Sequence, residues 1–100
     1  MSIKKEVLKY LKENKEYLKN KYGIKSIALF GSVAREEDKK NSDIDLLVEF
    51  DESYPLTLTR YFGLIDELEG HFNKKVDLIT KEAMKKILWK YVKKDIINAI

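Results

Sequence analysis

The chain has 100 residues, of which 44% are hydrophobic and 37% charged, with no cysteine, one histidine and a net charge of +3 at pH 7. This length predicts a single domain over residues 1–100, and the lack of cysteine excludes disulfides and thiolate metal sites. No apolar run approaches the roughly 20 residues of a membrane span and no signal-peptide stretch opens the sequence, so we expect no membrane association and a cytoplasmic protein.

The net charge conceals an uneven distribution along the sequence. Residues 1–25 and residues 74–100 each carry eight lysines against three acidic side chains, whereas residues 26–73 hold eleven acidic and four basic side chains. No interleaved aromatic and basic motif accompanies the lysines, so we interpret them as solvated faces and do not expect direct nucleic-acid binding. With no cysteine and a single histidine, any metal has to be held by carboxylates.

The first half of the chain predicts two helices and two strands. Apolar residues at helical spacing predict one amphipathic helix over residues 3–21, which Gly23 ends: Ile3, Val7, Leu8, Leu11 and Leu18. An apolar strand follows over residues 24–30. Gly31 and Ser32 end that strand, and Ser32 is predicted to be the N-cap of a short helix in "VAREE". The second strand is predicted over residues 43–50.

The second half predicts two helices around a third strand. Pro55 suits the first position of a helix. Apolar residues spaced by three and four predict that this helix covers residues 56–69, with Gly70 at its end: Leu58, Tyr61, Phe62, Ile65, Leu68 and Phe72. A strand is predicted in "KKVDLIT", residues 74–80, and Thr80 should cap the last helix. The order of elements predicts an α/β (α+β) domain, a small mixed sheet flanked by helices.

Two aspartates stand at the start of the second predicted strand. Because side chains alternate along a strand, Asp43 and Asp45 should point the same way about 7 Å apart, with Ile44, Leu46 and Val48 on the opposite face. Two such carboxylates repel each other unless a cation lies between them, and Mg²⁺ suits carboxylates, water and substrate phosphates. The competing interpretation is a merely solvated strand face.

A possible phosphate site precedes the aspartates. Gly31 and Ser32 lie where the first strand meets the short helix, and free backbone N–H groups at a helix start attract phosphate. Gly31 would let a phosphate approach the backbone, and the Ser32 hydroxyl would add a donor. Taken alone, a Gly-Ser pair is a common turn. Ten residues separate the pair from Asp43, which is enough to bring the phosphate site and the carboxylates face to face.

These residues together resemble a known family. Gly31-Ser32, ten residues and then Asp43-x-Asp45 is similar to the signature of the nucleotidyltransferases of the DNA polymerase beta superfamily. The longer run "LFGSVAREEDKKNSDIDLLVEF" resembles its smallest branch, the minimal nucleotidyltransferases, many of which are antitoxins of HEPN-domain toxins. The resemblance implies a nucleotidyltransferase (polymerase beta-like) fold. One position departs from the pattern: the family commonly has glycine after the arginine of the motif, where this chain has Glu36.

The resemblance also implies roles for individual residues. Asp43 and Asp45 would ligate two Mg²⁺ ions on a nucleoside triphosphate, expected to be ATP, and Asp77 would join the ion that activates the attacking hydroxyl. Gly31 and Ser32 would bind its β- and γ-phosphates.

Two further positions of the motif are nucleotide-binding candidates. Arg35 could reach the triphosphate, although an ion pair with Glu36, Glu37 or Asp38 is an equal alternative. Ser42 is the other candidate, and we expect it to orient the start of the strand. His71 lies near a predicted helix end and is interpreted as structural.

The activity implied by the resemblance is transfer of AMP from ATP to a hydroxyl, expected to be a tyrosine, of a cognate HEPN ribonuclease toxin. The chain would act as the antitoxin, and a homo- or hetero-oligomer is possible. One alternative is a non-catalytic nucleotide-binding module that inhibits its partner by occlusion. Another is a catalytic subunit that needs a separate substrate-binding subunit for a small-molecule acceptor.

The C-terminal segment combines core and interface features. We expect the last helix to bury Met84, Ile87, Leu88 and Tyr91. The segment also offers anchors of the kind enriched in protein interfaces: Trp89, Tyr91, Val92, Ile96, Ile97 and Ile100. Burial in the core is the competing interpretation. If the interface interpretation holds, deletion of residues 92–100 should weaken partner binding more than ATP binding.

Overall fold

A computed structural model describes residues 2–53, 57–87 and 94–100 of the chain. Nine elements lie in these ranges: α1 (Ile3–Glu13), α2 (Lys15–Tyr22), β1 (Ile24–Phe30), α3 (Gly31–Ala34), β2 (Ile44–Phe50), α4 (Leu58–Phe72), β3 (Val76–Thr80), α5 (Lys81–Ile87) and β4 (Ile97–Asn98).

The N-terminal helix is interrupted, so the prediction of one helix over residues 3–21 is wrong. Ser2 caps α1 by accepting a hydrogen bond from the Lys5 N–H. At Asn14 the backbone leaves the helical region (φ −108°, ψ 16°), and the side-chain amide donates to the Tyr10 carbonyl at 2.9 Å. Asparagine competes in this way with the helical ladder, and a second helix starts one residue later. Gly23, at φ 65°, ends that helix as predicted.

The sheet has four strands in the order β3-β2-β1-β4. β1 runs antiparallel to both β2 and β4, whereas β2 and β3 are parallel and joined through α4. The predicted small mixed sheet is therefore confirmed. Sequence periodicity missed β4, because two residues are too few to show an alternation.

Both faces of the sheet are covered at its centre. One face packs against α1, α2 and α4, and its fully buried strand residues are Ile27, Leu29, Ile44, Leu46 and Val48. The opposite face carries a second cluster of Ala28, Phe30, Leu47 and Met84, the last from α5. Asp45 lies on this second face, since it pairs across the sheet with Phe30. The carboxylate therefore lies on the same face as this smaller apolar cluster.

Helix α4 starts and ends differently from its prediction. Thr57 caps it by accepting from the Arg60 N–H at 3.1 Å, and the predicted start at Pro55 lies outside the described residues. The helix continues through Gly70 to Phe72, and Asn73 closes it at φ 55°. Asparagine tolerates this left-handed conformation, so Asn73 and not Gly70 ends the helix. No described helix is both long and apolar enough to cross a membrane.

The C-terminal segment belongs largely to the core where it is described. Thr80 caps α5 as predicted by accepting from the Ala83 N–H, and Met84 is buried. The side chain of Ile87 and residues Leu88, Trp89, Tyr91 and Val92 lie outside what the structure describes.

The rest of this segment packs against the core, as the competing interpretation expected, and its part in an interface stays a prediction. Ile97 and Ile100 pack against the main core, and Ile96 packs against the second cluster. Deletion of residues 92–100 would remove β4, so it would test folding and not partner binding.

Candidate active site

The register of the sheet places two of the predicted carboxylates side by side. Asp45 of β2 pairs with Phe30 on one side and with Asp77 of β3 on the other. Adjacent strands lie about 4.8 Å apart and directly paired residues share a face, so both carboxylates emerge on the same side. The residue after Phe30 is Gly31, the first residue of α3. Three strands therefore bring the Gly-Ser turn, Asp45 and Asp77 into one row.

Gly31 is required by its contact with Asp45. Its φ of +78° is left-handed, and a Cβ built on it would collide with the Asp45 carboxylate. Only glycine fits both conditions. The structure thus gives Gly31 a second role beyond the predicted approach of a phosphate, because its missing side chain makes room for the carboxylate.

Asp43 completes the carboxylate cluster, a name used here for Asp43, Asp45 and Asp77. It lies just outside β2, which starts at Ile44 and not at the predicted Asp43. Asp43 and Asp77 are exposed, whereas Asp45 is half-buried. Within the described ranges, no three histidine, aspartate or glutamate side chains are gathered as a ready metal centre. This arrangement fits Mg²⁺, which uses one or two carboxylates and completes its shell with water and substrate phosphates.

The charges of the cluster act on its most buried member. Burial, followed by the charges of Asp77 and Asp43, raises the pKa of Asp45 to about 6, while the Arg35 guanidinium opposes the shift. In the metal-free protein the negative charge of Asp45 is therefore less stable than that of a solvated aspartate. A bound cation would relieve both the repulsion and the lost solvation, so the donor set suits a divalent cation.

Ser32 is not the N-cap of the short helix, contrary to prediction. Helix α3 starts at Gly31, its N-cap position is Phe30, and no side chain caps it. Ser32 is the second residue of the helix, and its carbonyl accepts from the Glu37 N–H at 2.9 Å. The strand ends at Phe30 as predicted, but the helix begins at once with Gly31, so Ser32 lies inside its first turn and not before it.

Arg35 forms the ion pair that was its alternative interpretation. Its Nε donates to Glu37 at 3.0 Å, and its Nη1 donates to Asp95 at 3.0 Å. Asp95 was not singled out from the sequence, because nothing in the local pattern connects positions 60 residues apart. The Arg35 charge also opposes the rise in the pKa of Asp45. The charge therefore acts on the cluster, although the hydrogen bonds of Arg35 are made to Glu37 and Asp95.

The backbone conformation of Glu36 explains why the family commonly has glycine at this position. Its φ is 58°, one of two positive values among described non-glycine residues, the other being that of Asn73. Its N–H donates to Val33, which closes the end of α3. A left-handed residue at this point favours glycine, and glutamate holds it at a conformational cost. The exposed Glu36 carboxylate lies 3.9 Å from the Lys4 ammonium.

Ser42 is engaged in the turn before β2. Its hydroxyl accepts from the Lys39 N–H at 2.8 Å, and its own N–H donates to the Lys39 carbonyl at 3.0 Å. These bonds fix the approach to Asp43 and agree with the expected orienting role. His71 lies in the last turn of α4 and stacks on the Tyr10 ring at 3.9 Å, which agrees with its structural interpretation.

Tyr61 of α4 borders the cluster, although the sequence marked it only as part of an apolar stripe. Its hydroxyl donates to the carbonyl of Leu78, the residue after Asp77. Burial and the Asp77 charge raise the pKa of Tyr61. No sequence signal separates this tyrosine from a core aromatic, because its neighbour Asp77 comes from another element.

Comparison with known proteins decides the family. The model of the nucleotidyltransferase domain matches residues 8–100. The chain belongs to this family. It is 47% identical over 96 residues, 96% of its length, to a Methanocaldococcus jannaschii protein provisionally named a protein adenylyltransferase, and covers 93% of that relative. It is 34% identical over 92 residues to the protein adenylyltransferase MntA of Thermococcus cleftensis, covering 92% of this chain and 91% of the relative.

Solved structures agree with this family. One provisionally described as a minimal nucleotidyltransferase superposes with a TM-score of 0.74 at 33% identity, covering 97% of this chain and 95% of the other. A toxin-antitoxin complex with AMP-PNP gives a TM-score of 0.69 at 22% identity over 89% of this chain and 72% of the other. A Shewanella oneidensis complex of a tri-AMPylated HEPN toxin with its MNT antitoxin gives 0.62 at 20%, over 93% and 71%. The predicted fold and the predicted nucleotidyltransferase activity are confirmed.

Proposed function

We propose that this nucleotidyltransferase transfers AMP from ATP to a tyrosine hydroxyl of a cognate HEPN-domain toxin, in a reaction that depends on Mg²⁺, and so acts as the toxin's antitoxin. The observation that carries the proposal is the row formed by Gly31, directly after β1, and by Asp45 and Asp77 on the neighbouring strands β2 and β3. A phosphate-binding turn and two carboxylates on rigid strands provide what nucleotidyl transfer requires.

The residues of the row divide the reaction between them. The acceptor oxygen attacks the α-phosphorus of ATP, the bond to the oxygen that bridges the α- and β-phosphorus breaks, pyrophosphate leaves, and the hydroxyl proton passes to water. The backbone at Gly31 and Ser32 would hold the β- and γ-phosphates. Asp43 and Asp45 would hold the cations on the triphosphate, and Asp77 would hold the one nearest the acceptor. When bound, Mg²⁺ neutralises charge that builds up on the attacking and leaving oxygens.

The relatives supply the support for a protein acceptor. Those named above are protein adenylyltransferases by name, and the chain covers more than nine-tenths of each. Two structural neighbours come from toxin-antitoxin complexes, and in one of these complexes the toxin is a tri-AMPylated HEPN protein. Neither the row of residues nor the fold specifies the acceptor, which is why tyrosine and the HEPN toxin belong to the proposal.

The test uses ATP labelled at its α-phosphate. The chain, Mg²⁺ and the HEPN protein encoded in the same cell are incubated and separated on a gel, beside the Asp77→Asn variant and a reaction with EDTA. We expect label on the HEPN protein only in the wild-type reaction with Mg²⁺, and mass spectrometry should place AMP on a tyrosine.

Other outcomes select the alternatives. One further variant replaces Asp43, Asp45 and Asp77 together by asparagine. If it still neutralises the toxin and no label is attached to the toxin, inhibition by occlusion replaces the proposal. Label that appears only on an added small hydroxyl compound would identify a catalytic subunit for a small-molecule acceptor.

A further inference from the structure

An apolar groove opens beside Asp77. It has a volume of about 530 Å³ and runs between the start of α4, the outer edge of β3 and the start of α5. Its lining includes Thr57, Leu58, Tyr61, Asp77, Ile79 and Ala83. In a chain with 37% charged residues, a mostly apolar surface next to a catalytic carboxylate indicates a binding function.

Two exposed apolar side chains extend this groove along α4. Leu58 is 75% and Phe62 54% exposed, and one helical turn separates them, so they lie on the same side of the helix. The sequence stripe assigned both to the buried face, but of its members only Leu68 and Phe72 are buried, together with Leu64. The Phe62 ring packs edge-on against Tyr61, with ring centres 5.4 Å apart. An aromatic side chain held in this way loses little entropy when a partner covers it.

The edge of β3 is closed to strand addition where the structure describes it. The Val76 N–H donates to a Glu69 carboxylate oxygen at 2.9 Å, and the Leu78 carbonyl accepts from the Tyr61 hydroxyl. A partner therefore cannot extend the sheet here without breaking these bonds. The groove suits a folded protein that contacts it through side chains.

The other side of the carboxylate cluster has the opposite character. Asp43 borders a hollow of about 380 Å³ whose lining includes Lys40, Lys74 and Lys75. Lysines attract the polyanionic ATP from that side, while its β- and γ-phosphates would lie at Gly31 and Ser32. The apolar side next to Asp77 then remains for the acceptor, whose hydroxyl has to approach the same carboxylate.

We propose that the groove beside Asp77, continued by Leu58 and Phe62, is the surface on which the acceptor protein docks through an apolar side-chain patch, with its hydroxyl directed at Asp77. This inference rests on the proposed function, since it assumes that the acceptor is a protein. It assigns the recognition of that protein to α4 and β3, whereas the motif residues recognise the nucleotide.

The test separates acceptor recognition from ATP recognition. Leu58→Ala and Phe62→Ala place alanine, the strongest helix former, in α4. Thr59→Ala is the matched control, since Thr59 is exposed on the same helix and lines a different hollow. Initial rates of label transfer to the HEPN protein give KM for each substrate. We expect each groove variant to raise KM for the HEPN protein about tenfold, with KM for ATP and the circular dichroism spectrum unchanged. The Thr59 variant should match the wild type.

Each other outcome has a distinct meaning. Unchanged KM for the HEPN protein in both groove variants would overturn the docking proposal while the activity stands. If Phe62→Ala instead converts a dimer of this chain to a monomer in sedimentation, with transfer unaffected, the surface joins two copies and the proposal is wrong. If the wild-type chain binds ATP but labels no HEPN protein, the proposed function fails, and the docking proposal fails with it.

Discussion

The two sides of the carboxylate cluster differ in chemistry although a single sheet supports both. On the Asp43 side, lysines from two loops line a polar hollow, whereas on the Asp77 side a helix and an edge strand line an apolar groove. Charge attracts a nucleotide at long range, and an apolar surface selects a partner by shape at contact. Under the two proposals above, this difference separates donor recognition from acceptor recognition within one small site. Asp45 lies between the two sides and should be needed for both.

The largest expected effect is the loss of Asp45. Asp45→Asn removes a proposed metal ligand, and because loss of an outer-shell partner alone costs 10–100-fold, we expect transfer to fall by more than about a hundredfold. The metal-free variant should nevertheless be more stable than the wild type at pH 7, because the repulsion from Asp77 and Asp43 disappears. Label transfer and urea denaturation measure the two effects. Asp66→Asn, at an exposed position of α4, is the control and should change neither.

Gly31→Ala should reduce both activity and stability. The left-handed φ costs about 1–2 kcal/mol in any residue with a Cβ, and the added methyl would displace the Asp45 carboxylate. We expect the free energy of unfolding to fall by about 2 kcal/mol or more. The matched control is Gly70→Ala in α4, where a Cβ meets nothing within 4 Å. That variant should gain about 0.5–1 kcal/mol. Equal effects in the two variants would refute the contact between Gly31 and Asp45.

The pH dependence of stability should reveal the burial of the Asp45 carboxylate and its repulsion by Asp77 and Asp43. The pKa of Asp45 is about 6 in the folded chain against 3.8 for an ordinary aspartate, so the folded state binds more protons between these values. Its contribution to stability is therefore complete below pH 4 and is lost as the pH rises through 6. We expect a loss on the order of 1 kcal/mol, allowing for solvent screening. Urea midpoints of the metal-free chain from pH 4 to 7 measure it, and Asp45→Asn should remove this component.

The lysine side should affect ATP more than the acceptor. Exposed charges contribute up to about 1 kcal/mol each, so Lys40→Ser combined with Lys75→Ser should raise KM for ATP about two- to fivefold at low salt. The effect should shrink at high salt because screening weakens exposed charges. Lys9→Ser with Lys12→Ser on α1 is the control. A rise in KM for the HEPN protein instead of ATP would reverse the assignment of the two sides.

The smallest expected effect concerns the departure from the family pattern. Glu36→Gly relieves a left-handed residue at the end of α3 but adds freedom to the unfolded chain, so we expect a net gain of about 0.5 kcal/mol. Asn73→Gly at the other positive φ should gain less, because asparagine tolerates this conformation. Thermal denaturation compares the two. A loss of stability in Glu36→Gly would show that the 3.9 Å pair with Lys4 outweighs the strain.

The sequence by itself determined the local features of this protein. β1 has the predicted bounds, and the Thr80 cap and the Gly23 helix end are confirmed. These features depend on neighbouring residues, such as an apolar run or a glycine that accepts a left-handed backbone. The motif that runs from Gly31 to Asp45 likewise predicted that both residues lie near strand ends. The turn and the strand that this motif covers are local features of the sequence.

Only the tertiary structure decided what comes together from distant positions. Strand register set Asp77 beside Asp45, and the ion pair of Arg35 with Asp95 spans 60 residues. Periodicity assigned Leu58 and Phe62 to the core, but the rotation of α4 on the sheet left them exposed. A periodic pattern shows that a helix has an apolar stripe, whereas the packing of its neighbours determines which part of the stripe they cover. The carboxylates and the Gly-Ser turn could thus be located from the motif, whereas the groove beside Asp77 could not.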